Sequence, residues 1–339
     1  MQITIIGAGA IGGTVGAFLT QAGHDVTVVD IVREHVEQIN QHGLRISGVR
    51  GDQHYPLRAV HTDDLAGTLH NVILAVKGHF TRDVVTQVIA PRLAEDGYVV
   101  SLQNGLNEDT IADVIGPERT IGAFVHFGAD YLDPGHVQLG QDQDIFLGEL
   151  DGSRTDRVEE LQQALSAVMP THITHEIYSY LWGKLVYGSM AFAVSTVDAP
   201  VPEILEDERA RQICLAACRE TALVGQALGH DLKPIGAFES SQFLPDRDDA
   251  TSLAALDRFR AEMAASIKQH MGIWRDLRIK KRATEVDVQC GEVVRYAADA
   301  GIDVPVNQAI VRTIHEIEDD ARDMNWSNLD TLLSAIPRK

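Results

Sequence analysis

The chain has 339 residues, 45% of them hydrophobic and 23% charged, which excludes a disordered or fibrous protein and is long for a single core, so two domains are expected. Its 29 basic residues against 49 acidic ones leave a formal net charge of −20. A surface of that sign repels nucleic acid and anionic membranes, so neither is expected as a partner.

Gln2 to Ile6 is a short β-branched run and reads as a buried strand. Ala10 to Ala22 favours a helix that Gly23 stops, Asp25 to Asp30 (DVTVVD) reads as a second strand, and Ile31 to Gln41 as a second helix. Val72 to Val76 and Tyr98 to Leu102 are further buried-strand runs, with helical character between them over Phe80 to Leu93. Thr120 to Phe127, the turn Asp133-Pro134-Gly135 and Ile145 to Gly148 form a more hairpin-like region. Alternating βα units in this order predict an open, mostly parallel, doubly wound Rossmann-type sheet.

Beyond about residue 175 the texture becomes helical. Apolar residues recur at helical spacing over Tyr178 to Ala193, Asp207 to Leu228, Leu253 to Gln269, Glu285 to Ala300 and Asn307 to Met324, and Phe243 to Thr251 reads as a polar loop. The expected division is a dinucleotide-binding domain over 1–175 and an all-helical substrate and catalytic domain over 176–339. Cys214, Cys218 and Cys290 are too few for a disulfide framework and have no Cys/His cluster beside them, so they read as buried thiols and no metal is expected. No apolar run approaches the ~18 residues of a membrane span, and the chain opens on a strand rather than a leader, so a cytoplasmic setting is expected.

Gly7-Ala8-Gly9-Ala10-Ile11-Gly12 matches G-x-G-x-x-G between the first strand and the first helix. In that context Gly7 makes the tight turn, Gly9 lets backbone approach a pyrophosphate, and Gly12 lets helix pack on sheet. The phosphates then rest on the amides of the helix start. Asp30 ends the second strand 18 residues past Gly12, where a carboxylate accepts from an adenosine ribose 2′-hydroxyl and repels a 2′-phosphate. NAD is therefore expected, with NADP possible because Arg33 lies three residues on.

With GAGAIGG, the AVKGHF segment holding Lys77, SLQNGLNE holding Asn104, LWGKLVYGSM holding Lys184 and RATEVD holding Glu285, the chain resembles the ketopantoate reductases (2-dehydropantoate 2-reductases) over most of its length. That family reduces a 2-keto acid with a nicotinamide cofactor. The resemblance implies that Lys184 is the catalytic acid and that Glu285 holds the substrate hydroxyl or orients the lysine. It also implies that Asn104 contacts the nicotinamide ribose or the substrate, and that Lys77 meets cofactor phosphates or ribose. The chemistry is coherent: hydride addition turns a carbonyl oxygen into an alkoxide, which needs a nearby positive charge and a proton, and an ammonium supplies both. The bland alternatives are a snorkelling Lys184, a helix-surface Glu285 paired with Lys280, Lys281 or Arg282, a turn role for Asn104 and a packing His126.

Two departures bear on substrate. The family usually has an asparagine four residues after the lysine, where this chain has Gly188, with Tyr187 and Ser189 as neighbouring polar groups. It commonly has a substrate-binding serine before the glutamate, where this chain has Met271-Gly272. His270, Trp274 and Arg275 stand nearby and can shape a different pocket, an arginine clamping a carboxylate at two points. Alternatively Trp274 is core and Arg275 pairs with Asp276. These features predict an oxidoreductase acting on a small 2-keto or 2-hydroxy acid or related sugar acid, as a homodimer by fold-level analogy. Ketopantoate reduction, an opine- or hydroxyacid-dehydrogenase-like reaction and a non-catalytic nucleotide sensor are the alternatives.

Overall fold

β1 (Gln2–Ile6), with the β-branched run Ile-Thr-Ile-Ile, is an interior strand of an eight-stranded sheet. The computed structural model describes residues 1–266 and 268–337. The chain forms two units, Met1–Ile177 and a second beginning at Tyr178.

In the first unit, β1 leads through a glycine turn into α1 (Ala10–Gln21) and then β2 (Asp25–Asp30) and α2 (Arg33–His42). β3 (Leu44–Gly48), β4 (Gln53–Tyr55) and β5 (Arg58–His61) follow, then β6 (Leu69–Leu74), the one-turn α3 (Thr81–Val84) and β7 (Leu93–Ser101). α4 (Glu108–Ile115), β8 (Thr120–Val125), β9 (Gly128–Asp133), β10 (His136–Gln141), β11 (Ile145–Glu149), α5 (Asp156–Leu165) and β12 (Thr171–Ile173) complete it.

The large sheet has the order β12-β11-β8-β7-β6-β1-β2-β5. Its strands run parallel except for the β8–β11 pair. Strand order reverses between β1 and β6, the switch point at which doubly wound sheets bind nucleotides outside the strand carboxyl ends. The expected Rossmann-type sheet is thus present.

A second sheet, β4-β3-β10-β9, was not expected. It also packs against α1. A Cβ on Gly16 would press on Val28 and Ile5 of the large sheet, whereas one on Gly13 would press on Leu44 and Val137 of the small one. One apolar core, running from Ile3, Ile5 and Val28 through Val15 and Phe18 to Leu44, Ile46, Val137 and Leu139, joins all three layers.

The helical character expected over Phe80 to Leu93 takes the form of a 3₁₀ turn at Gly78–Phe80, α3, and a π-helical turn at Val85–Ile89, while Leu93 already belongs to β7. Val85 and Ile89 still turn into the core, so the periodicity marked the buried face but not the helix type.

The second unit is helical. α6 (Ile177–Val194) crosses from one unit into the other, followed by α7 (Val201–Ile204), α8 (Glu208–Ala227), α9 (Asp249–Ala265), α10 (Gly272–Arg275), α11 (Glu292–Ala300), α12 (Pro305–Glu318) and α13 (Ser327–Ser334). Among the described residues its only β pairing is an isolated bridge between Ile235 and Phe238. The expected loop over Phe243 to Thr251 is shorter than read, because Asp248 caps α9 by accepting from the Thr251 amide at 2.7 Å. The helix expected over 253–269 ends at Ala265, with residue 267 outside the described residues, as are 338–339 of the expected second domain.

Glu285 is not helical, in contrast to the expected helix from Glu285 to Ala300. Lys281 adopts φ 45°, the chain runs irregularly to Val286, and a π-helical turn, Asp287–Gly291, precedes α11. All three cysteines are buried, and burial pushes the Cys214 and Cys290 thiols up to about 12. Among the described residues no group of His, Cys, Asp and Glu is arranged to hold a metal, and no helix is long and apolar enough to cross a membrane.

Candidate active site

The first unit carries a glycine turn between β1 and α1. Gly7 turns the chain off β1 at φ 99°, which side-chain-bearing residues rarely adopt, and its amide donates to Val29 O at 2.8 Å. A Cβ on Gly12 would overlap the Gly7 carbonyl oxygen, so the glycine allows the first turn of α1 to lie against the loop. At Gly9, by contrast, a Cβ would meet nothing within 4 Å. Gly9 is the N-cap of α1, whose first turn has no side-chain cap. Open space in front of uncapped helix amides fits a diphosphate, in charge and in room.

Asp30 grips this turn. Its Oδ2 accepts from the Ala8 amide at 2.9 Å and its Oδ1 from the Val32 amide at 3.0 Å. Each oxygen keeps a second lone pair with which to accept from a ribose hydroxyl. Arg33, the residue that weakened the NAD reading, is turned to Asp63 at 2.9 Å and Asp64 at 3.3 Å. These exposed pairs offset its charge where a 2′-phosphate would need it.

Sequence reasoning passed over His35. It is fully buried, its Nδ1 accepts from the Gly135 amide at 2.8 Å, and so its Nε2–H donates to Ala8 O at 2.9 Å. The glycine turn is thereby tied to the β9–β10 hairpin. A buried histidine on the second helix was the available signal.

Lys77 and Asn104 follow β6 and β7, both half-buried, and their loops are laced together. Gln103 Nε2 donates to Val76 O at 2.9 Å and to Thr81 Oγ1 at 2.8 Å. Thr81 Oγ1 donates to Asn107 Oδ1 at 2.9 Å, and Asn107 Nδ2 to Asn104 O at 2.8 Å. The two loops therefore hold a common geometry at the carboxyl edge of the sheet. Beside them Glu108 is fully buried, and loss of solvation pushes its carboxyl up to about 8. His126, just past β8, donates its backbone N–H to Asp144 O at 3.1 Å.

In the second unit Lys184 is half-buried and is the only charged residue of α6, a helix buried along most of its length. Glu285 is 8% exposed. Its segment is held by the Thr284 amide, which donates to Glu318 Oε1 at 2.6 Å, and by the Val286 amide, which donates to Thr284 Oγ1 at 3.2 Å. Both polar neighbours of Gly188 are committed elsewhere. Ser189 Oγ bonds Asn307 Oδ1 at 2.9 Å and Thr221 Oγ1 at 2.7 Å, and the Tyr187 hydroxyl, which burial pushes up to about 12, reaches Met271 Sδ at 3.4 Å.

His270 and Trp274 stack at 4.0 Å between ring centroids, and Trp274 is half-buried rather than core. Its Nε1–H donates to Asp198 at 2.8 Å, and Arg278 bonds the other carboxylate oxygen at 2.9 Å. Asp276 pairs with Arg282 at 2.7 Å. Of the trio expected to shape a pocket, Trp274 is held by Asp198 and His270 lies against Trp274.

A doubly wound sheet with a glycine turn at its switch point, an acid at the end of β2 and a helical second unit defines a Rossmann-type oxidoreductase. Two family models match the chain, ketopantoate reductase PanE/ApbA over residues 3–152 and its C-terminal counterpart over 176–318. The chain belongs to the ketopantoate reductase family of NAD(P)-dependent reductases and related dehydrogenases, and it is an oxidoreductase acting on CH–OH and C=O groups. The chain is similar to a 2-dehydropantoate 2-reductase of Mesorhizobium japonicum (strain LMG 29417 / CECT 9101 / MAFF 303099), 32% identical over 68% of this chain and 77% of that one. A PanE/ApbA family ketopantoate reductase from Ralstonia eutropha JMP134 shares 26% identity and a TM-score of 0.79, covering 94% and 99% of the two chains. D-mandelate dehydrogenase, solved with NADH and anilino(oxo)acetate, has a TM-score of 0.81 at 23% identity over the same shares, a likeness of fold alone.

Proposed function

We propose that this enzyme transfers hydride between NAD(H) and a small 2-keto or 2-hydroxy acid, or a related sugar acid, with Lys184 as acid/base. The observation that carries the reading is Lys184 itself: one ammonium, half-buried, on an 18-residue helix with no other charge. A lone ammonium on an otherwise uncharged, largely buried helix is a candidate for proton transfer. When bound, the nicotinamide supplies or accepts the hydride. Lys184 donates the proton that the developing alkoxide needs, and takes it back in the oxidative direction. Glu285 holds the substrate hydroxyl or the ammonium, while Asn104 and Lys77 bind the ribose or phosphates of the cofactor.

Preference for NAD over NADP rests on Asp30 and on the pairing of Arg33 with two acids. The first unit is assigned to the dinucleotide and the second to the acid. A second reading, reduction of 2-dehydropantoate, is favoured by the name of the Mesorhizobium relative. Gly188 argues against it, since the asparagine that the family usually has at this place is missing from this chain.

A panel of 2-keto acids with NADH and NADPH, and of 2-hydroxy acids with NAD, tests both readings. Turnover of simple 2-keto or 2-hydroxy acids with NAD(H), at a kcat/KM above that for 2-dehydropantoate, is the expected result. A kcat/KM highest for 2-dehydropantoate with NADPH would replace it with the second reading.

A further inference from the structure

Gly188 lies in the middle of α6 with ordinary helical φ, so backbone conformation does not explain a residue that weakens a helix. Its neighbour does. A Cβ at 188 would stand 2.8 Å from Gln289 Oε1, so any other residue here would make the end of that flexible side chain shift. The glycine makes room for a carboxamide delivered from the π-helical turn Asp287–Gly291.

Three observations mark this carboxamide. It packs one helical turn along α6 from Lys184, on the same face, since residues four apart are surface neighbours on a helix. It stands four residues after Glu285, in a type of turn that concentrates at functional sites. It is half-buried, and among the described residues its side chain has no hydrogen-bond partner, whereas Ser189 and Tyr187 beside it are already engaged. A partly buried carboxamide with donors unspent is suited to a ligand.

We infer that Gln289 is the side chain through which this enzyme binds the carboxylate of its acid substrate, its Nε2 amino group donating to a carboxylate oxygen. The inference rests on the reading of the protein as a keto-acid oxidoreductase. Gln289 is then a specificity-determining residue, and Gly188 the vacancy it requires.

The test uses the full-length enzyme with NADH, the best of pyruvate, 2-oxobutyrate, 2-oxoisovalerate and 2-dehydropantoate, and the methyl ester of that acid. Gln289→Ala raises KM for the acid about 10- to 100-fold, the loss of one hydrogen bond to a charged group, with kcat changed far less. Gln289→Glu, equal in size but anionic, raises it further, and neither variant changes KM for the ester more than about twofold. Gly188→Ala, which displaces the carboxamide, reproduces the defect, and adding it to Gln289→Ala costs little more. NADH affinity, measured by fluorescence titration, stays at the wild-type value in all of them and certifies folding. Acid KM values within about twofold of wild type in both Gln289 variants overturn the inference while leaving the oxidoreductase reading intact. Equal losses on acid and ester also overturn it, since the carboxylate is then not what Gln289 binds. Absence of turnover by the wild-type enzyme on every acid overturns the reading, and the inference with it.

Discussion

Ala8 donates its amide to Asp30 Oδ2 at 2.9 Å, so the acid that closes β2 also holds the glycine turn in place. On the proposed reading, replacing Asp30 removes both a ribose acceptor and a brace of the glycine turn. Asp30→Asn, which keeps the shape and loses the charge, weakens NADH binding about 10-fold and narrows its margin over NADPH. Asp63→Ala/Asp64→Ala releases Arg33 and strengthens NADPH binding without altering that of NADH. Paired titrations with the two cofactors measure both effects, and an unchanged NADH-to-NADPH ratio in Asp30→Asn would remove the basis for expecting NAD.

Lys184→Met retains the aliphatic stem and deletes the proton. Turnover on the best substrate falls by about 10²- to 10⁴-fold, the range for a positioned general acid. NADH affinity holds. Steady-state kinetics beside a binding titration separates the two, and full turnover in the variant would move the acid elsewhere.

Gly9 and Gly12 look alike in the motif and are predicted to fail differently. Gly12→Ala forces a methyl group onto the Gly7 carbonyl and destabilises the fold by about 1–3 kcal/mol. Gly9→Ala meets no protein atom, so it melts like wild type but loses NADH affinity where the methyl group intrudes on the phosphates. Calorimetry and cofactor titration on the two variants check this. Equal Tm losses in both would contradict it.

Glu108 makes stability depend on pH. Its carboxyl, at about 8 when folded, lies above its ordinary value of 4.5 because burial disfavours the anion. Between those values the folded chain binds the extra proton, so stability declines as pH rises from about 5 to 8, by up to ~1.4 kcal/mol per pH unit. Glu108→Gln keeps the shape without the charge and flattens that slope, gaining most at pH 8 to 9. Urea titrations across this range supply the test, a slope shared by variant and wild type being the adverse result.

The central sheet was legible because its strands are buried on both faces and read as continuous β-branched runs, as in ITII and VTVV. The small sheet was not. β4 is Gln-His-Tyr with one buried residue, β9 has no buried residue, and in β10 only Val137 and Leu139 turn inward. The β3–β4 and β9–β10 pairs are local, but the pairing of β3 with β10 that joins them spans about 90 residues and leaves no local trace.

The turn at Gly7 was legible because its positive φ demands glycine, whereas Lys184 and Glu285 were singled out by resemblance to a family and not by their own surroundings in the sequence. The candidate site was opaque where one side chain takes a place vacated by another. Gln289 sits 101 residues from Gly188, and nothing in the helical spacing of either segment announces that they meet.

The placement of α1 between two sheets also governs how the cradle responds to solvent. Gly12 to Leu19 are all buried, so the interior amides of this helix cannot trade protons with water by fraying. They exchange only when the three layers separate, at the rate of cooperative opening of the whole first unit. Bound dinucleotide, resting on the start of α1, would slow that exchange across both sheets at once.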